Sequence, residues 1–130
     1  MTLADFIRSA KSCTRVITPM ALLKKLQAKE EALLIDVREH SEYEAVHIPG
    51  ARLVPRRILQ PAADPTYSKH PPELFSARNR LVVVYCATGG RSAMAAAVLQ
   101  MMGLQNVLNL DGGYVRWDDE GMPKSHEASY

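Results

Sequence analysis

The sequence predicts a single α/β domain of three layers, with a mainly parallel central sheet and helices on both faces. Three observations carry that expectation. Short, mostly aliphatic runs at 32–37, 81–85 and 107–110 are apolar at successive positions, the pattern of parallel strands covered on both sides rather than of strands with one wet face. Helical patterns separate these runs, so strand, helix and strand alternate. The chain has 130 residues, 47% of them apolar, which suits one core without disulfide or metal staples.

Taken in order, residues 1–17 read as an N-terminal lead segment and residues 18–123 as the domain. In the lead segment Asp5, Arg8 and Lys11 interrupt any apolar stretch, so the hydrophobic centre of a secretory signal is lacking. Arg8, Lys11 and Arg15 are compatible with a mitochondrial presequence, against which Asp5 counts, and a cytoplasmic location is the expectation. Thr18 and Pro19 supply an N-cap and a first-turn proline for a helix whose apolar stripe is Met20, Leu22, Leu23 and Leu26. The strand 32–37 follows. Prolines at 55, 61, 65, 71 and 72 predict a loop with at most short helical turns, placed to form a rim over a pocket. After the strand 81–85, residues 92–102 are rich in Ala, Met and Leu and stop at Gly103, as a helix with a C-terminal glycine does. The strand 107–110 completes a crossover unit, and residues 124–130 read as a flexible tail.

Charge and cysteine content exclude several classes. Sixteen basic and fourteen acidic side chains leave a net charge of +2, which argues against nucleic-acid binding by bulk electrostatics. Cys13 and Cys86 are too few for a disulfide framework and have no zinc-type spacing. No apolar run approaches the ~20 residues of a membrane span. No metal or cofactor is expected.

Chemistry is concentrated in Cys86-Ala87-Thr88-Gly89-Gly90-Arg91-Ser92, which leaves a buried strand and opens a helix. Adjacent glycines permit the sharp turn. Such a loop aims backbone N–H groups at its own centre, and the unpaired N–H groups at the start of the following helix add partial positive charge. An anion belongs there, and the Cys86 thiolate is that anion.

The Cys-x-x-Gly-x-Arg-Ser pattern at this turn resembles the active-site loop of the rhodanese family. Other family hallmarks stand around it: Asp36-Val37-Arg38, Glu42-Tyr43, His47-Ile48-Pro49-Gly50-Ala51, Asp111-Gly112-Gly113, Trp117, Gly121 and Pro123. Val46 departs from the pattern, standing where the family usually has glycine. The resemblance implies a rhodanese-like fold and a thiosulfate sulfurtransferase activity, with Cys86 as the nucleophile that carries a persulfide. A small anionic donor such as thiosulfate would supply the sulfur, and cyanide, a thiol or a protein would accept it. Ala87, Thr88, Gly89, Gly90, Arg91 and Ser92 would bind the substrate, Arg91 through the donor's anionic group. Ser92 also suits a capping role.

Rival readings remain beside this one. A sulfur-carrier or docking module for a protein partner would need the same loop. A regulatory domain with an incidental cysteine fits poorly with the intact loop. Cysteine-dependent phosphatases and arsenate reductases hold one more residue between cysteine and arginine than the four found here, and that longer loop rings a tetrahedral oxyanion. Asp36 and Arg38 suit a structural ion pair better than catalysis. Arg56 and Arg57 would make a pocket entrance electropositive or simply form a solvated face. His47 reads as a hydrogen-bonded turn residue, His40, His70 and His126 lack metal spacing, and Trp117 reads as core. Cys13 reads as an exposed thiol, with a role in accepting sulfur from Cys86 as the weaker alternative.

Overall fold

The computed structural model describes residues 2–58 and 80–127. Helix α1 (Leu3–Cys13) leads into β1 (Arg15–Ile17), α2 (Pro19–Gln27), β2 (Ala32–Asp36), α3 (His40–Ala45) and β3 (Arg52–Leu53). A single 3-10 turn, Arg56–Ile58, precedes the undescribed stretch. Then come β4 (Leu81–Tyr85), α4 (Gly90–Met101), β5 (Asn106–Leu110) and α5 (Gly113–Asp119). The prolines at 61, 65, 71 and 72, His70 and the last three residues lie outside the described residues.

All pairings in the five-stranded sheet are parallel, in the order β1-β5-β4-β2-β3. The fold is therefore α/β with helices packed around a parallel sheet. The central strand β4 matches β2 from Leu81 against Ala32 to Tyr85 against Asp36, and matches β5 from Leu81 against Asn106 to Val84 against Asn109.

Alternation along each strand sorts the core into two layers. Leu33, Ile35, Val82, Val84 and Val107 face α4, where Ala95, Ala96 and Leu99 meet them. Leu34, Val83, Tyr85 and Leu110 face the other way, against Leu22 of α2, Tyr43 of α3 and Trp117 of α5. Trp117 is fully buried and its indole N–H donates to the Pro123 carbonyl at 2.7 Å. Truncating a fully buried residue such as Leu99 to alanine would cost about 2–5 kcal/mol. The cap of α2 forms as expected, with the Thr18 hydroxyl accepting from the Ala21 N–H at 3.2 Å and Pro19 opening the helix.

Residues 3–17 and 124–127 pack on the rest of the fold. Residues 3–17, read as lead segment, form α1 and an edge strand. Thr2 and Asp5 close a reciprocal capping box on α1, and Ile7 and Ala10 pack against Ala93 and Met94 of α4. Strand β1 pairs with β5 from Arg15 against Leu108 to Ile17 against Leu110. At the other end, Ser125 pairs antiparallel with His47, and Lys124 forms an ion pair with Asp118 at 3.0 Å. Helix α4 also starts two residues earlier than the expected Ser92, because the two glycines belong to the turn and the first helical position.

Candidate active site

Cys86 follows the last residue of β4, the central strand, so it stands at the carboxyl edge where open parallel sheets form their ligand crevices. Its side chain continues the alternation of Val82 and Val84 and points to the α4 side. The chain must then reverse into α4. Gly89 makes the reversal with φ of +98°, a left-handed conformation that costs an L side chain strain.

The turn folds its own donors onto sulfur. Cys86 Sγ accepts from the Gly89 N–H at 3.1 Å and the Ser92 N–H at 3.4 Å, and the Ser92 hydroxyl lies 3.3 Å away. Gly90, Arg91 and Ser92 form the first turn of α4, whose N–H groups have no partner within the helix. Hydrogen bonds and the helix terminus thus converge on one sulfur.

Beneath the loop lies a residue the sequence reading does not single out. Asn109 of β5 is 2% exposed and occupies a position facing α4. Its Oδ1 lies 2.6 Å from the Ser92 hydroxyl, and its Nδ2 donates to the Gly89 carbonyl at 3.0 Å. The available signal was a lone polar residue within the aliphatic run 107–110, since a buried amide must find partners.

Helix α5 braces the loop from the other side. The Tyr114 N–H donates to the Cys86 carbonyl at 2.8 Å and the Val115 N–H to the Ala87 carbonyl at 2.9 Å. Gly113 permits this contact: its φ is +61°, and a Cβ there would stand 2.6 Å from the Ala87 oxygen.

Cys86 opens on a cavity of about 400 Å³. Of the sequence-predicted residues, Ala87, Thr88, Gly90 and Arg91 line it, together with Arg38, Arg56 and Arg57. Gly89 and Ser92 lie below, where they hold Sγ. Arg56, Arg57 and Arg91 are exposed, and none makes an ion pair among the described residues. The cavity thus carries cationic side chains near the sulfur.

Asp36 and Arg38 behave differently. Arg38 Nε donates to Asp36 Oδ1 at 3.0 Å and Nη2 to Oδ2 at 2.8 Å, while Nη2 also reaches the Val46 carbonyl at 2.7 Å. Burial alone would lower the guanidinium pKa, but the hydrogen bonds and charge of Asp36 outweigh it and hold Arg38 above its ordinary value. The guanidinium also lies over the Tyr114 ring, 4.7 Å from its centroid. This pair ties β2 to the segment before His47. Val46 itself has φ of −168°, extended backbone that any residue adopts, so its replacement of glycine leaves that turn unstrained.

His47 is away from the cavity, 1% exposed and stacked on Tyr43 at 3.8 Å. Its Nδ1 lies 2.8 Å from the Tyr43 carbonyl and its Nε2 lies 2.7 Å from that of Glu127. Cys13 is exposed and opens on a separate groove beside Phe6 and Met101, so the two thiols serve different surfaces. Among the described residues, no cluster of three or more His, Cys, Asp or Glu side chains could hold a metal ion, and no helix is long and apolar enough to cross a membrane.

A buried cysteine sulfur at the end of the central parallel strand, cradled by a glycine turn and a helix start, defines a cysteine-loop α/β domain. The comparisons narrow the class: the family described as rhodanese-like domain matches residues 19–120, and the chain belongs to it. The chain is 35% identical over 119 residues to the probable adenylyltransferase/sulfurtransferase MoeZ of Mycobacterium tuberculosis, covering 92% of this chain and 28% of that protein. It is 34% identical over 103 residues to a sulfurtransferase of Allochromatium vinosum, covering 79% of this chain and 87% of the relative. A Rhodopseudomonas palustris protein of unknown function, described as a possible tyrosine phosphatase, superimposes with a TM-score of 0.89 at 28% identity over 96% of this chain and 95% of its own. The chain is thus a rhodanese-domain protein with sulfurtransferases among its relatives, and it spans little more than a quarter of MoeZ.

Proposed function

We propose that the chain is a thiosulfate or persulfide sulfurtransferase working through a persulfide on Cys86. The observation that carries this reading is the set of Gly89 and Ser92 donors converging on Sγ at the floor of a cavity whose lining includes Arg56, Arg57 and Arg91. With thiosulfate, the Cys86 thiolate attacks the outer sulfur and a bond forms between the two sulfurs. The old S–S bond breaks and its electron pair leaves with sulfite. The terminal sulfur of the resulting anionic persulfide is next taken by cyanide, as thiocyanate, or by a thiolate, as a new persulfide, and the Cys86 thiolate returns. Covalent catalysis divides one transfer into two easier ones. Attack by the thiolate form of Cys86 requires no separate base. Arg91, exposed at the cavity, attracts the sulfonate group of the donor, with Arg56 and Arg57 contributing long-range attraction. A reducing compartment such as the cytoplasm suits a free Cys86 thiol.

Phosphatase action, raised by the description of the Rhodopseudomonas palustris protein, is the weaker reading for this chain. Four residues separate Cys86 from Arg91, and the donors of the turn close on Sγ itself. The test is steady-state transfer from thiosulfate to cyanide and to a small thiol, with a phosphate ester in parallel. Thiocyanate or persulfide production that depends on Cys86 supports the proposal. Loading of Cys86 without turnover would point to a carrier that delivers sulfur to a protein, and phosphate release without sulfur transfer would overturn the reading.

A further inference from the structure

Helix α1 lies before the family match, which begins at residue 19, yet it forms one wall of the Cys86 cavity. Its start is fixed by the Thr2–Asp5 capping box. Its position is fixed by packing along α4, close enough that a Cβ on Gly90 would stand 3.3 Å from Ile7 Cγ2. Leu3, four residues earlier on the same face, joins Ile7 in the lining. Leu3 is 58% exposed and lines the cavity, so among the described residues apolar surface there is left uncovered.

We propose that Leu3 and Ile7 make this cavity selective for an organic sulfur compound, an aliphatic hydropersulfide bearing a carboxylate, over an inorganic donor. This deepens the sulfurtransferase reading above and rests on it. Size is the first reason. A cavity of about 400 Å³ exceeds what thiosulfate fills, at most about 150 Å³ if each of its heavy atoms is allowed the ~30 Å³ that a molecule takes in liquid water. Charge is the second. Arg56, Arg57 and Arg91 face the same space as Glu39 and Glu42, so two carboxylates offset the cations and weaken the preference for a small dianion. A single carboxylate beside the arginines, with an aliphatic body against Leu3 and Ile7, meets both the charged and the apolar walls.

The sulfur step is balanced without another reactant. The Cys86 thiolate attacks the terminal sulfur of R–S–S–H, a Cys86–sulfur bond forms, and the donor's S–S bond between its inner and terminal sulfurs breaks. R–S⁻ leaves with the electron pair, and the proton stays on the new Cys86 persulfide.

The experiment measures single-turnover loading of Cys86 by intact mass, using N-acetylcysteine hydropersulfide and thiosulfate as donors. The full chain is compared with Leu3→Gln and Ile7→Ala. The readout is the ratio of the two loading rate constants, in which the fraction of folded protein cancels. In the wild type this ratio should exceed that of a free small thiol by about tenfold, and each variant should lower it by about fivefold, the scale on which small changes in an apolar pocket act. A wild-type ratio equal to that of the free thiol, or variants that leave the ratio unchanged, would overturn the selectivity while leaving sulfur transfer standing. Loading from neither donor would overturn the sulfurtransferase reading itself.

Discussion

The Ser92 hydroxyl lies 2.6 Å from Asn109 Oδ1 and, on its other side, 3.3 Å from Cys86 Sγ. A serine has one hydroxyl proton. Asn109 therefore holds that hydroxyl beside the sulfur and anchors the Gly89 carbonyl of the same turn. Asn109→Ala should destabilise the fold by about 1–3 kcal/mol, since two buried hydrogen bonds are lost, while the Gly89 carbonyl keeps the Ala93 N–H and the Ser92 hydroxyl keeps the sulfur. It should also slow sulfur loading of Cys86. Urea denaturation and a loading time course check the two effects, and unchanged stability would show that the amide is dispensable.

The ion pair between Asp36 and Arg38 is buried on both sides, with side-chain exposures of 0% and 7%. Arg38→Met would leave the Asp36 carboxylate without its partner, at an expected cost of about 3–5 kcal/mol. Chemical denaturation measures this, and a loss below ~1 kcal/mol would mean that water or a neighbour replaces the guanidinium.

Alkaline stability should report on Tyr85. Burial, reinforced by the Asp36 charge, raises its phenol pKa far above the ordinary value of 10.0. The folded protein therefore keeps the proton while the unfolded chain releases it near pH 10. Stability from this group is fully present below about pH 10 and is lost as pH rises beyond it, by up to ~1.4 kcal/mol per pH unit. Tyr85→Phe should flatten that alkaline decline, although near neutrality it leaves the Ile48 N–H, which donates to the phenol oxygen at 3.2 Å, without an acceptor. Urea midpoints from pH 8 to 11 distinguish the outcomes. Parallel curves for the two proteins would contradict the assignment.

Gly113 tests the brace between α5 and the reactive loop. Gly113→Ala forces a Cβ to within 2.7 Å of the Cys86 and Ala87 carbonyl oxygens at a φ of +61°. A destabilisation of about 2–4 kcal/mol is expected, from backbone strain and overpacking together. Thermal melting checks it, and a variant as stable as the wild type would show that the loop shifts freely.

Much of the centre of the molecule was legible in the sequence because its signals are local. The aliphatic runs became β2, β4 and β5, the Thr18-Pro19 cap opened α2, and the glycine turn after Cys86 lay between strand and helix as its composition demands. The less legible parts depend on partners distant in sequence. Strand β1 has three residues with two exposed, too short for a period, and it exists because β5 offers it an edge. Helix α1 carried a readable Thr-x-x-Asp cap, but its charges were weighed only against targeting signals, and only α4 shows which face it buries. Asn109 looked like an interruption of a strand, since its partners Ser92 and Gly89 lie on another element.

The most direct measurement is the intact mass of the wild type and of Cys86→Ser after incubation with thiosulfate and with an organic hydropersulfide. Wild type should gain one sulfur atom, lose it on addition of cyanide or a thiol, and yield a peptide map with the added sulfur on Cys86, while Cys86→Ser stays unmodified. An unchanged wild-type mass with every donor, or equal sulfur uptake by the Cys86→Ser protein, would contradict the persulfide mechanism.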